Sequence, residues 1–299
     1  MAGRTIHPFL YKIADIMKDE FAKEAPKWEK ADISAEELDT LRKECITPSV
    51  FDPNQLRLKM WNTIEKDDAV TISISCPYGK LICAFERFEQ MDELPLELWG
   101  RIMRLFTDRK DNKSKPYRVY FLANSMPRKM SGEKGQPIGP GDINGGYTYP
   151  CDHDMILIYR AEDATRVLIH ELFHSSCSDK SSDIDIIESE TEAWAELFYC
   201  GFISAGSIHV LRDWVARQSN YMNMQNRAVV KQMGDIAMSE RVFPWRYTLG
   251  KQIVWERWGI FVAEKLHPEI KVGLSLRLTL PPPITIKRRE GININSIML

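Results

Sequence analysis

Residues His170-Glu171-Leu172-Phe173-His174 place two imidazoles four positions apart with a carboxylate between them. On a helix, positions i and i+4 share one face, so both rings can offer neutral nitrogens to a single zinc ion. Glu171 is turned about 100° from His170 around such a helix. From there a carboxylate lies beside the open position of a metal and can take a proton from a bound water.

The chain has 6 histidines in 299 residues. Chance would place these five letters in on the order of one such chain in a hundred, so the surrounding sequence decides. Upstream, Arg160 to Ile169 carries Glu162 and Asp163 where a first helical turn is expected, then Ala164, Val167, Leu168 and Leu172 in helical rhythm. No Gly or Pro interrupts that run before Cys177. The bland alternative is a half-buried helix whose two histidines and glutamate hydrogen-bond to neighbours.

A catalytic zinc site needs three protein ligands and one open position. A third histidine in an HExxHxxGxxH continuation would require Gly at 177 and His at 180, and the chain has Cys177 and Lys180. The remaining option is a glutamate from a second helix, and Glu188 to Phe198 offers Glu188, Glu192 and Glu196 on one stripe. Like charges at that spacing repel by a few tenths of a kcal/mol, which a facing cation would offset. Glu192 is the expected ligand. Glu196, one turn on, is expected as an acceptor orienting a metal-bound histidine, or as the alternative ligand. A solvated acidic face is the competing reading.

With these residues in view, the chain resembles a zincin metallopeptidase of the gluzincin type. The likeness rests on Val167 to His174 and on Glu192-Ala193-Trp194-Ala195-Glu196, which is similar to the Glu-aromatic-Ala-Glu helix of compact, lethal-factor-like metallopeptidases. The order of a Gly-Tyr-Thr segment, a strand and HExxH between Gly145 and Glu196 also resembles metallopeptidases encoded by large DNA viruses. This resemblance implies an α+β, zincin-like fold: a mixed β-sheet upper subdomain bearing the HExxH helix, and a helical lower subdomain. It further implies Zn2+ as cofactor, a polypeptide substrate, and peptide-bond hydrolysis by a zinc-activated water with Glu171 as general base. Two departures stand out. Ser175 and Ser176 follow the second histidine where such peptidases usually carry an apolar residue, and the spacing from His174 to Glu192 is slightly short, which keeps Glu196 open as the ligand. A catalytically idle zincin fold serving as a structural or binding protein, for example in a virus particle, is the alternative.

Lys plus Arg number 40 against 42 Asp plus Glu, a net charge of -2, so nothing argues for a nucleic-acid or membrane partner. No apolar run approaches the roughly 20 residues of a membrane span, and the first residues lack a secretory signal's apolar stretch, so a cytoplasmic location is expected. The 6 cysteines, Cys45, Cys76, Cys83, Cys151, Cys177 and Cys200, form no CxxC pair and are expected to be reduced, buried thiols.

The elements that must position the motif follow from periodicity. Amphipathic helices are expected over Ile6 to Ala25 and from an N-cap at Ser34 to Cys45. A strand pair at Val70 to Ser75 and Lys80 to Phe85 turns at Cys-Pro-Tyr-Gly. Then come a helix at Leu94 to Thr107, a strand at Tyr117 to Leu122, a Gly- and Pro-rich loop over Ser131 to Gly146, and a strand at Met155 to Tyr159 feeding the motif helix. Gly145-Gly146-Tyr147-Thr148 is the candidate sheet edge for pairing an extended substrate, an ordinary surface turn being the equal alternative. Helices are expected at Glu188 to Ile203, at Ser207 to Met233 as one helix or in two pieces, and at Leu249 to Leu266. A strand at Val272 to Leu280 and a tail with Pro281 to Pro283 and Lys287 to Arg289 close the chain. The expected division is 1–68, an N-terminal helical segment; 69–180, the α/β part with the motif; 181–271, the helical part; and 272–299, a strand and tail. Tyr199, His209 and Tyr221 are unranked candidates for an oxyanion donor, and His153 is read as a loop histidine.

Overall fold

A computed structural model of the chain describes residues 7–107, 115–130, 135–179, 181–234, 243–262 and 275–280. In chain order the first elements are α1 (Pro8–Ala22), β1 (Glu29–Lys30), α2 (Ala35–Ile46), α3 (Leu56–Glu65), β2 (Val70–Cys76), β3 (Gly79–Phe85), α4 (Glu89–Asp92), α5 (Leu96–Thr107) and β4 (Tyr117–Ala123). There follow α6 (Pro140–Ile143), β5 (Gly146–Thr148), β6 (Ile156–Ile158), α7 (Ala164–Ser175), α8 (Ile184–Ser204), α9 (Ile208–Met233), α10 (Phe243–Tyr247) and α11 (Leu249–Arg257). The described residues fall into two compact units. One draws on Met1–Glu24, Arg128–Ile143 and Asp179–Pro281, the other on Ala25–Pro127 and Asn144–Ser178. Thus α1 belongs to the first unit, while α2 and α3 belong with the sheet.

The sheet unit is a six-stranded mixed sheet in the order β1-β2-β3-β4-β6-β5. β2 and β3 form the expected antiparallel hairpin, and β3, β4 and β6 run parallel. Ile82, Ala84, Tyr120, Leu122 and Leu157 pack on one face with Leu41 and Cys45 of α2 and Leu56, Met60 and Trp61 of α3. On the other face Phe121 meets Trp99 of α5 at 5.3 Å between ring centroids, and Phe106 of α5 packs edge-on against Phe173 of α7 at 4.9 Å. Burial on both faces is why β3 and β4 read as unbroken apolar runs instead of alternating ones.

In the helical unit α8 is central, packing against α1, α9, α10 and α11. Trp194 of α8 packs with Phe9 and Trp258, and Trp255 donates its indole N–H to the Ala193 carbonyl at 3.0 Å. The extended stretch 275–280 is held by side chains: Tyr221 and Gln225 both donate to the Arg277 carbonyl, and Lys251 donates to that of Leu278.

The α+β class and the mixed sheet agree with the sequence reading; several boundaries do not. α7 starts at Ala164, so Glu162 and Asp163 precede the helix, and Asp163 has a left-handed backbone and makes no capping hydrogen bond. α8 starts ahead of Glu188 because the Asp183 carboxylate caps the N–H groups of Asp185 and Ile186. α9 is one continuous helix, capped by Ser207. α11 ends at Arg257, and residues 263–266 of the longer expected helix lie outside the described residues. Within 275–280, Ser275 makes an isolated bridge to Lys129 and no strand forms. Residues 272–274, part of the Gly- and Pro-rich loop (131–134) and the 281–299 tail lie outside the description.

Candidate metal centre

α7 is buried around nearly its whole circumference. It packs on β5, β6 and α5; Val167, Leu168, Ile169 and Leu172 are buried, as are His170 and Glu171, and His174 is half-buried. The Nε2 atoms of His170 and His174 lie 3.0 Å apart. That is hydrogen-bonding distance between the rings, and it is close to the roughly 3.3 Å between two nitrogens bound to one tetrahedral zinc ion. Their planes meet at 74° with centroids 4.7 Å apart.

Glu171 faces the sheet edge. β5 pairs with β6 and ends the strand order, so the Gly146 to Thr148 segment is an edge strand, as its sequence suggested. A methyl group on Gly146 would stand 2.6 Å from Val167 Cγ1, 3.0 Å from the Leu157 carbonyl oxygen and 3.3 Å from Glu171 Oε1. Only a residue without Cβ lets this strand lie so close to the carboxylate and to α7.

The same strand is anchored from its other face. Tyr147 donates its hydroxyl to the Glu44 carboxylate of α2 and accepts from Arg57 Nη1 of α3 at 2.9 Å. Burial, with Glu44 adding to it, pushes the Tyr147 phenol well above its ordinary range, so it stays a donor. Arg57 is itself held by Asp52 at 3.2 Å. Sequence reading singled out neither Glu44 nor Arg57, which lie about a hundred positions from Tyr147 and carry no local signal.

Beyond the motif, Ser175 and Ser176 do not leave the helix end loose. Ser175, fully buried, donates to the Asp152 carbonyl at 2.5 Å, and Ser176 donates to that of Phe173 at 3.0 Å. Next to them is a disulfide, Cys151–Cys177, with Cα atoms 4.6 Å apart. This corrects the expectation of six reduced, buried thiols: Cys45, Cys83 and Cys200 are free and buried, Cys76 is free and partly buried, and the bonded pair is exposed. The β5–β6 turn brings Cys151 to the end of α7, a proximity that the spacing of the two residues does not reveal.

The candidate carboxylates lie on α8, in the helical unit. Glu188 is half-buried, and Glu192 and Glu196 are buried. Both oxygens of Glu196 are engaged within that unit: Lys251 Nζ lies 3.1 Å from Oε2, and the Thr279 hydroxyl donates to Oε1 at 2.5 Å. Of the other candidates, Tyr221 donates to the Arg277 carbonyl, His209 is exposed near the start of α9, Tyr199 is buried on α8, and His153 stacks on Tyr117 with its Nδ1 3.2 Å from the Lys115 carbonyl.

No family model, curated protein or solved structure matches this chain. No helix among the described residues is long and apolar enough to cross a membrane.

Proposed function

We propose that the protein is a zinc-dependent peptidase whose metal is held by His170, His174 and a carboxylate of α8. The observation that carries this reading is the 3.0 Å approach of the two Nε2 atoms on a buried helix that also bears Glu171. Glu192 is the third ligand suggested by the sequence, and Glu188 lies one turn earlier on the same stripe. The charge of Glu196 is already balanced by Lys251, which favours the earlier two positions.

A zinc ion held there would supply an acidified water and polarise the carbonyl to be attacked. Glu171 would act as the general base toward that water and return the proton to the departing amine nitrogen. Its burial, at 5% exposure, limits competing bulk water. β5 supports the reading as a sheet edge lying against that carboxylate: an extended peptide adding to it through backbone hydrogen bonds would be presented beside Glu171. The Tyr147–Glu44–Arg57 network keeps the edge in place during such pairing.

The test is a Glu171→Gln variant assayed on a peptide library. Retained zinc with abolished cleavage is the expected result. A wild-type protein that holds zinc and cleaves nothing would overturn the enzymatic reading.

A further inference from the structure

We propose that Cys151–Cys177 is a reversible thiol–disulfide latch on the C-terminal turn of α7, the turn that carries His174. Its bearing on the metal rests on the function proposed above; the latch itself does not.

Three observations converge on this turn. First, the backbone N–H groups of Cys151 and Cys177 both donate to one acceptor, the carbonyl of His174, at 3.0 and 3.1 Å. The crosslink therefore joins two segments that already meet at the second histidine, and Ser175 adds a third tie to Asp152. Second, both cysteines have left-handed backbones, φ 63° and 55°, a region that side chains other than Gly and Asn avoid. The covalent bond joins these two positions directly. Third, the pair is exposed while the remaining cysteines are not. Burial pushes the Cys45 thiol up to about 12 and raises those of Cys76, Cys83 and Cys200 as well. Raised thiols form less thiolate, the species through which exchange proceeds.

The chemistry is ordinary exchange with a glutathione-class disulfide. The Cys151 thiolate attacks one sulfur of the oxidised reagent, forming a mixed disulfide and releasing one glutathione thiolate. The Cys177 thiolate then attacks Cys151 Sγ, forming the protein disulfide and releasing the second. Two protein thiols lose two protons and two electrons, and the reagent gains them as two thiols. A reduced thiol reverses both steps. Oxidised, the 26-residue separation between the cysteines is closed around β6 and the whole of α7. Reduced, the turn beyond His174 depends on its hydrogen bonds alone.

Hydrogen exchange of the full chain in oxidised and reduced glutathione buffers tests this directly. Reduction is expected to speed exchange of the amides at 151–152 and 175–178 by about tenfold or more. A Cys151→Ser/Cys177→Ser double variant should show the fast rates in both buffers, and Cys45→Ser should respond as the wild type does. Identical exchange in the two buffers, or two thiols still titratable at these positions under the oxidising buffer, overturns the proposal. Competition with a chromophoric zinc chelator, run in parallel, separates the two readings. Weaker zinc retention on reduction supports both, whereas a redox-sensitive turn in a chain that binds no zinc in either state supports the latch and removes the metal.

Discussion

Lys251 Nζ lies 3.1 Å from Glu196 Oε2, and both side chains are completely buried. Removing one partner from a buried pair strands the other charge, at a cost of about 3–5 kcal/mol. Lys251→Met should therefore lower stability in denaturant unfolding by about that amount, and combining it with Glu196→Met should recover most of the loss. Zinc stoichiometry should survive Glu196→Gln. Metal loss in that variant without loss of stability would make Glu196 a ligand instead of a structural anion.

The two earlier carboxylates of α8 are separated by substitution. Glu188→Gln and Glu192→Gln should differ in zinc affinity: a neighbour that only orients a ligand costs about 10–100-fold, and loss of the ligand itself costs more. Chelator competition reads the order. Equal, small effects at both positions would mean that neither Glu188 nor Glu192 is a ligand.

Gly146 sets how closely the edge strand approaches the motif helix. Gly146→Ala puts a methyl 2.6 Å from Val167 Cγ1, an overpacking that should cost about 1–3 kcal/mol in unfolding experiments. Adding Val167→Ala should return part of it, because the Val167 contact is relieved while the Leu157 carbonyl remains. A Gly146→Ala protein as stable and active as wild type would show that β5 does not need its close approach to Glu171.

Glu37 provides a pH signature away from the site. Burial pushes its carboxyl up, but the hydrogen bonds from Lys80 and from the Ser34 backbone, with the charges of Lys80 and Arg118, outweigh it and hold the group below its ordinary value of 4.5. A lowered carboxyl stabilises the folded state above the unfolded-chain pKa, and that contribution is lost as pH falls through the folded value. Urea midpoints should drop on acidification below 4.5 in the wild type. Glu37→Gln keeps the capping box with Ser34 but not the charge, so it should be less stable at neutral pH and show a flatter acid limb. Parallel acid limbs for the two proteins would remove Glu37 as the source.

Legibility from sequence followed locality. α2 was readable because Ser34 and Glu37 form a capping box within three residues, and α7 because its apolar rhythm is continuous. α3 was not, because its first residue follows Gln55 in a left-handed conformation and its cap comes from Asp52, whose carboxylate accepts from the Leu56 and Arg57 amides. The spacing of His170 and His174 specified a shared helix face with Glu171 turned to one side of it, and Gly146 marked the candidate sheet edge. The partners of Glu196 could not be anticipated, since Lys251 and Thr279 reach it from 55 and 83 positions away. The Cys151–Cys177 bond likewise depends on a strand turn returning to a helix end.

The central claim is a metal held through the paired histidines of α7. Elemental analysis of the purified chain, beside a His170→Ala variant checked for intact folding, tests it most directly. About one zinc ion per wild-type chain, lost in the variant, is the expected result for a three-ligand protein site. A wild-type chain without stoichiometric metal after zinc loading, or a His170→Ala chain that retains it undiminished, would contradict the account.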